Sequence, residues 1–154
     1  MAARIILAWV GRTRDPELRT LVERYLERSA RFVPTEARDL RASRAADVGR
    51  RIREDMVTLR QAAGGADAVL VTERGAQWTS KELASRMRDW LEQSSRPICF
   101  LAGGEAGFRA EDEAWAARRL GLSRLTLPHE LARVVLAEQV YRALTLIRNL
   151  KYHK

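Results

Sequence analysis

The sequence predicts a single α/β domain in which a parallel-type sheet is flanked by helices on both faces. Short continuous apolar runs alternate with segments of helical periodicity, a pattern typical of folds in which strands are joined through helices. The 154 residues, 46% of them apolar, suffice for one domain with a substantial core. Internal repeats, low-complexity tracts and long linkers are absent from the sequence. We therefore expect one domain over residues 1–154.

Two strand–helix units are predicted in the first part of the chain. The apolar run Ile5–Val10 is typical of a buried strand. A helix is predicted over residues 15–30, because an aspartate suited to the N-cap is followed by a proline. Residues 36–40 are expected to form a weak edge strand. The next helix is predicted over residues 45–62, ended by Gly64 and the glycine after it.

The second part of the chain continues the alternation. Thr79 and Glu82 have the spacing of a capping box at the start of a helix. On the last helix, Glu138 precedes Arg142 by one turn, the order that favours an ion pair. An apolar face of that helix is expected in the core or at an interface, and its members are Leu131, Val135, Val140, Leu144 and Ile147. The predicted elements are strand 68–72, helix 79–93, strand 97–102, helix 111–120, strand 124–127 and helix 130–147.

Charge and hydropathy narrow the function classes. The net charge is +8, from 28 Lys and Arg against 20 Asp and Glu, and nearly all the cations are arginine. Arginine suits phosphate contacts and base stacking, which favours a nucleic-acid partner, although a GC-rich genome would also raise arginine. No apolar run approaches the roughly 18–20 residues of a membrane span. The first run is too short for a signal-peptide core, so we expect a cytoplasmic protein without membrane contact.

Cysteine and histidine are scarce. Cys99 is the only cysteine, so an internal disulfide is impossible, and we expect it to be a small buried residue. The two histidines, His129 and His153, lie far apart in sequence, and no metal site is predicted. His129 follows a proline at the start of the last helix. A helix-start hydrogen-bonding role and a catalytic role both remain open for it.

Three segments are candidates for a ligand site. In open α/β sheets, ligands bind beyond the carboxyl ends of the strands, and residues 71–75, 103–108 and 122–128 occupy such positions. The glycine pair at Gly103 either lets the backbone approach a ligand without an intervening side chain or forms a plain tight turn. This turn follows a late strand and lacks both the dinucleotide-binding glycine spacing and the Gly-Lys-Ser/Thr of a P-loop.

The C-terminal part of the chain carries a resemblance to a known family. The motif L-S-R-L-T-L-P-H at residues 122–129, Arg133, E-Q-V-Y-R-A at 138–143 and Tyr152-His153 together resemble the RlmH-type methyltransferases of the SPOUT superfamily. The strand Ile5–Gly11, the V-T-E-R-G turn and F-L-A-G-G-E-A-G extend the match over the whole chain. The resemblance implies an α/β domain with a deep C-terminal trefoil knot, which the residue pattern alone does not predict.

The resemblance also implies an activity. The protein would be a homodimer that binds S-adenosyl-L-methionine in the knot and methylates N3 of a pseudouridine in 23S ribosomal RNA of the assembled ribosome. Around the target base it implies Arg142, Tyr152 and His153, with the tyrosine stacking and the histidine taking a proton or contacting phosphate. By position, the implied cofactor-binding residues are Val71, Gly103, Leu122, Ser123, Arg124, Leu125, Thr126 and Leu127.

Two positions depart from the family pattern. Thr72, followed by Glu73, stands where the family usually has an acidic residue. Lys151 replaces the proline of the usual tail Gly-x-Pro-Tyr-His, which loosens the tail and adds a cation. These departures motivate one alternative, a non-enzymatic RNA- or ribosome-binding protein of the same fold. A second alternative is a SPOUT methyltransferase that acts on another RNA, such as tRNA.

Overall fold

The computed structural model describes residues 4–152, and within them a five-stranded parallel sheet has the order β2-β1-β4-β3-β5. Its strands are β1 (Ile5–Val10), β2 (Thr35–Leu40), β3 (Asp67–Ala76), β4 (Ile98–Ala102) and β5 (Arg118–Leu120). The helices are α1 (Pro16–Ala30), α2 (Val48–Ala63), α3 (Ser80–Gln93), α4 (Ala110–Trp115) and α5 (His129–Ile147). The predicted α/β class and the edge position of β2 are confirmed.

The predicted helix ends have the expected hydrogen bonds. The side chain of Asp15 accepts the backbone N–H groups of Glu17 and Leu18, at 2.9 and 3.2 Å, and so caps α1. Thr79 and Glu82 form the capping box at the start of α3. These polar signals are local, and the structure confirms them.

Near the end of the sheet, one predicted helix is too long and one predicted strand is wrong. The helix predicted over residues 111–120 ends at Trp115, and β5 begins at Arg118. The strand predicted over residues 124–127 is a loop, which leads from β5 to α5. Among the described residues β5 pairs with β3 alone, at the edge of the sheet. An edge strand tolerates charged side chains, and these make β5 hard to recognise in the sequence. Arg118 illustrates this, because its guanidinium lies 3.5 Å from the Asp67 carboxylate.

The core lies on both faces of the sheet. Alternate residues of β1 point to opposite sides, so Leu7 packs with α1, α3 and α5, whereas Ala8 packs with α2. Helix α5 lies between α1 and α3. Of its predicted apolar face, Val140 and Leu144 are buried, whereas Leu131 is 38% exposed. Cys99 is fully buried, as predicted, and burial raises the pKa of its thiol to about 11.

The connection from β5 to α5 lies against the end of β3. A Cβ atom built on Gly75 would come within 2.4 Å of the Leu120 carbonyl carbon, so two backbone segments are in direct contact here. The trefoil knot implied for this region stays a prediction. None of the helices within residues 4–152 is long and apolar enough to cross a membrane.

Candidate functional site

A cavity of about 560 Å³ opens where β3 and β4 end and α5 begins. A smaller cavity of about 90 Å³ adjoins it and shares part of its wall, including Val71 and Leu127. The walls come from three places: the end of β3, the glycine turn after β4, and the loop that precedes α5. Parallel strands present their carboxyl ends at one edge, which explains why these distant segments meet.

Most of the predicted cofactor-binding residues line these cavities. Gly103 and Thr126 belong to the larger cavity. The smaller one is lined by Leu122, Ser123 and Leu125, and both are lined by Val71 and Leu127. Arg124 lines neither and is exposed. The structure thus brings the predicted set together around one concave surface, with Arg124 outside it.

Gly103 lines the larger cavity without a side chain that would fill part of it. A Cβ atom on this residue would lie 3.2 Å from the ring of Phe108, which belongs to the same wall. A side chain here would displace the ring or project into the cavity. The turn therefore offers backbone groups to a ligand at close range.

At the end of β3, a buried carboxylate lies beside Thr72. The Thr72 hydroxyl donates to Oε1 of Glu113 from α4, and Nε of Arg74 donates to both Glu113 oxygens at 2.9 and 3.0 Å. Burial raises the pKa of Glu113, but the hydrogen bonds from Arg74 and Thr72 outweigh burial and hold the pKa below its usual value. A charged carboxylate is thus present next to the position where the family usually carries one, although it comes from another element.

The first two turns of α5 bind the β1–α1 loop through two side chains of opposite charge, Glu130 and Arg133. The Glu130 carboxylate accepts the backbone N–H groups of Arg14 and Asp15 at 2.7 and 3.0 Å. The Arg133 guanidinium donates to the carbonyl oxygens of Val10 and Gly11 at 2.9 and 3.1 Å. Helix α5 therefore provides hydrogen-bond partners both for backbone N–H groups and for backbone carbonyl groups of this loop.

Arg133 is 1% exposed, which is unusual for a cation. Besides the two carbonyls it donates to the Thr13 hydroxyl at 3.1 Å, and its guanidinium lies 5.0 Å from the centre of the Trp9 ring. Burial lowers the pKa of Arg133, while the charges of Asp39 and Glu130 oppose that shift. The sequence motif included Arg133 without giving it a role, and its position among apolar neighbours in α5 was the available signal.

His129 is the first residue of α5, and its side chain is 39% exposed. It lines both the 560 Å³ cavity and a third cavity of about 430 Å³ on the side of the β1–α1 loop. Its Nε2 atom lies 3.9 Å from the Glu130 carboxylate. The position at the start of the helix is confirmed, and a catalytic role stays a hypothesis.

The predicted catalytic residues within the described chain lie at the other end of α5. Nε and Nη2 of Arg142 donate to Oε1 of Glu138 at 2.9 and 2.6 Å, so the predicted ion pair is confirmed. The Arg142 guanidinium stacks 4.3 Å above the Tyr152 ring. Burial raises the pKa of Tyr152, and contacts with Tyr25 and Glu138 raise it further, so the phenol stays protonated at neutral pH. The third predicted residue, His153, lies outside the described residues.

One chain does not bring the two groups of predicted residues together. Arg142 follows His129 by about three and a half turns of α5, which corresponds to roughly 20 Å at about 1.5 Å per residue. An arginine side chain does not bridge that distance. The cavity and the Arg142–Tyr152 pair are thus separate sites within a single copy.

A parallel sheet with a glycine-walled cavity at its strand ends defines an α/β domain built to bind a small ligand. The family model described as "Predicted SPOUT methyltransferase" matches residues 3–153, and the chain belongs to this family. The resemblance found in the sequence is thereby confirmed.

Relatives agree over nearly the full chain. The ribosomal RNA large subunit methyltransferase H of Citrifermentans bemidjiense is 37% identical over 153 residues, covering 97% of this chain and 98% of the relative. The protein of the same name from Geobacter metallireducens is 38% identical over 148 residues, covering 96% of each. Among solved structures, a probable methyltransferase from Bordetella pertussis has a TM-score of 0.58 at 14% identity, covering 93% of this chain and 95% of that one. At that identity the similarity supports the fold alone.

Proposed function

We propose that the protein transfers the methyl group of S-adenosyl-L-methionine to N3 of a pseudouridine in 23S ribosomal RNA, acting on the assembled ribosome in the cytoplasm. The observation that carries the proposal is the cavity of about 560 Å³ at the ends of β3 and β4. Its volume lies within the roughly 300–1,000 Å³ usual for small-molecule sites. Family membership and the names of the relatives support the reaction type and the RNA class.

The residues present fit this cofactor. Apolar side chains of Val71, Leu122 and Leu127 suit an adenine ring and a methylene chain. Because Gly103 has no side chain, backbone groups at this turn can form hydrogen bonds to polar atoms of the cofactor. When bound, the cofactor would supply an electrophilic methyl carbon on a sulfonium. The protein's own task is to hold the ring nitrogen of the base in line with that carbon.

The acceptor nitrogen carries a proton that must leave. Methyl transfer to N3 would release this proton, which a base on the protein or water would have to accept. Arg142 would stabilise the anion that develops on the ring, and Tyr152 would stack on it. Because its pKa is raised, the Tyr152 phenol acts as a stacking surface or hydrogen-bond donor and not as the base. His153 remains the proposed proton acceptor or phosphate contact.

We further propose that the active form is a homodimer. The support is the roughly 20 Å between Arg142 and the cavity edge at His129, because a second copy can bring its Arg142–Tyr152 pair to the first copy's cavity. Half-buried aromatic residues surround that pair and would suit a subunit contact. Tyr25 and Phe32 lie 6.0 and 6.3 Å from the ring of Tyr141, which in turn lies 5.2 Å from Tyr152.

The reaction is tested with labelled S-adenosyl-L-methionine and ribosomes that lack the modification. We expect label on a single pseudouridine of 23S ribosomal RNA, located by mass spectrometry. Cofactor binding without label would favour the alternative of another RNA substrate. Absence of both cofactor binding and label would favour a non-enzymatic RNA- or ribosome-binding protein.

The shared site is tested by mixing two inactive variants. Gly103→Val blocks the cavity, and Arg142→Ala removes the proposed cation at the other end of α5. Random pairing gives half mixed dimers, each with one complete site, so activity should recover to about a quarter of the wild-type value. Each variant alone provides the baseline. Failure of the mixture to recover, with mixed dimers demonstrated, would contradict a site shared between subunits.

A further inference from the structure

The cavity of about 430 Å³ next to the proposed cofactor site has a cationic lining. It lies between the loop after β1, the loop after β2 and the turn at residues 104–107. Arginines contribute from both loops and from α2, namely Arg12, Arg14, Arg44 and Arg51. The turn at residues 104–107 and His129 also line the 560 Å³ cavity, so the two cavities share a wall. We call the 430 Å³ cavity the arginine pocket.

Two of the acidic side chains in the arginine pocket accept hydrogen bonds from backbone N–H groups. Glu130 accepts the N–H groups of Arg14 and Asp15, which lower the pKa of its carboxyl. Asp55 accepts the N–H of Ser43 at 2.7 Å. Both carboxylates therefore hold the loops in place. The third acidic lining residue, Glu105, is exposed to solvent.

The arginines of the two loops keep their charge available. Within residues 4–152, the side chains of Arg12, Arg14 and Arg44 form no ion pair. Arg51 instead donates to the Ala45 carbonyl at 3.1 Å and stabilises the loop that carries Arg44. A concave surface with several unneutralised guanidinium groups attracts an anion with several charges.

We propose that the arginine pocket binds phosphodiester groups of the RNA strand that carries the target nucleotide. This inference rests on the proposed function, and it adds where the substrate backbone lies. Guanidinium groups match phosphate oxygens in a bidentate geometry, and a strand anchored here would present its base across the shared wall to the cofactor cavity. Phosphate contacts of this kind fix the position of the strand, while contacts in the cofactor cavity select the base.

The test compares two double variants that each remove two positive charges. The double variant Arg12→Gln/Arg44→Gln removes one arginine of the pocket from each loop. Arg24→Gln/Arg88→Gln removes two exposed arginines from α1 and α3 and serves as the control. Binding to ribosomes that lack the modification is measured over a fourfold range of salt concentration, and cofactor affinity is measured by calorimetry.

Each lost phosphate contact lowers the slope of log affinity against log salt by about 0.7–0.9. The pocket variant loses two contacts. Over the fourfold range of salt, its affinity for ribosomes should therefore fall by a factor roughly 7- to 12-fold smaller than the factor for the wild type. The control should keep a slope close to that of the wild type, and cofactor affinity should be unchanged in both. Chemical denaturation of each variant verifies that it is folded.

The outcomes separate this inference from the proposed function. Equal slopes for the two double variants, or a loss of cofactor affinity in the pocket variant, would overturn the inference even if the wild type methylates ribosomes. A selective loss of RNA affinity in the pocket variant would uphold it. That result would stand even if the wild type transferred no methyl group, in which case the proposed reaction alone would fail.

Discussion

Replacing the buried Arg133 by methionine tests how the site is held together. Methionine keeps much of the apolar stem of the side chain and removes the guanidinium. The change deletes hydrogen bonds to the Val10 carbonyl, the Gly11 carbonyl and the Thr13 hydroxyl. It also removes the stacking on Trp9 at 5.0 Å. The β1–α1 loop then depends on Glu130 alone for its attachment to α5.

The magnitude follows from the burial of the acceptors. Val10 and Thr13 are buried, whereas Gly11 is half-buried and its carbonyl can reach water. Two unsatisfied buried acceptors cost about 2–6 kcal/mol, and the lost stacking adds about 1 kcal/mol. Removing a buried cation relieves a desolvation cost of several kcal/mol, which offsets part of this. We expect a net loss of about 3 kcal/mol in the free energy of unfolding.

The assay is urea unfolding followed by circular dichroism, supported by calorimetry. For a chain of this length, a loss of about 3 kcal/mol lowers Tm by roughly 6–12 °C. Arg24→Met, at an exposed position on α1, is the matched control and should stay within about 0.5 kcal/mol of the wild type. Amide exchange at Arg14 and Asp15 should also accelerate in the Arg133 variant. A loss below about 1 kcal/mol would refute the reasoning, because the guanidinium would then barely outweigh its own desolvation.

Three further predictions concern other parts of the molecule. Gly75→Ala should destabilise the protein by about 1–3 kcal/mol in urea unfolding because its Cβ would meet backbone at 2.4 Å, whereas Gly65→Ala, with open space around it, should not. Since the folded-state pKa of Glu113 is lowered, its stabilising contribution is present above about pH 4.5 and is lost as the pH falls below that, so Glu113→Gln should flatten the acid limb of stability against pH. Cys99, with a pKa of about 11, should resist a thiol reagent at pH 8 until denaturant unfolds the protein; rapid native labelling would contradict its burial.

Much of the fold follows from local signals in the sequence. The apolar run of β1 and the capping box at Thr79 predicted their elements with the observed bounds, because burial and capping depend on nearby residues. The strand β5 was missed because its Arg118 is charged and pairs with Asp67, a contact between residues distant in sequence. The apolar residues of the 124–127 loop suggested a strand instead, although Leu125 is 76% exposed.

The candidate site also has parts that the sequence predicts and parts that depend on the tertiary fold. Its strand-end segments could be predicted, since a parallel sheet collects carboxyl ends at one edge. Two features of the site could not be predicted from the sequence. One is the carboxylate of Glu113 beside Thr72, and the other is the set of hydrogen bonds from Arg133 to the β1–α1 loop. Both depend on side chains that meet through the tertiary fold, and neither residue has a short-range partner pattern that marks it.

The path of the chain bears on whether a single copy could complete the site by moving its tail. From Ile147, at the end of α5, the cavity residues Ala132 and His129 lie roughly 22 and 27 Å back along the helix at about 1.5 Å per residue. The five residues from Arg148 to Tyr152 span at most about 17 Å when fully extended. Reaching back would also require Tyr152 to leave its stacking on Arg142.

Arg142 itself has no such freedom. It sits on a helix packed between α1 and α3, and its guanidinium is fixed by Glu138 one turn earlier. Bringing it to the cavity within one chain would require unwinding α5, whose central residues Leu136 and Val140 are buried in the core. Docking of a second copy would leave that core intact and would bring the Arg142–Tyr152 pair to the cavity together. The rigidity of α5 is therefore the physical reason to expect a site completed by two subunits.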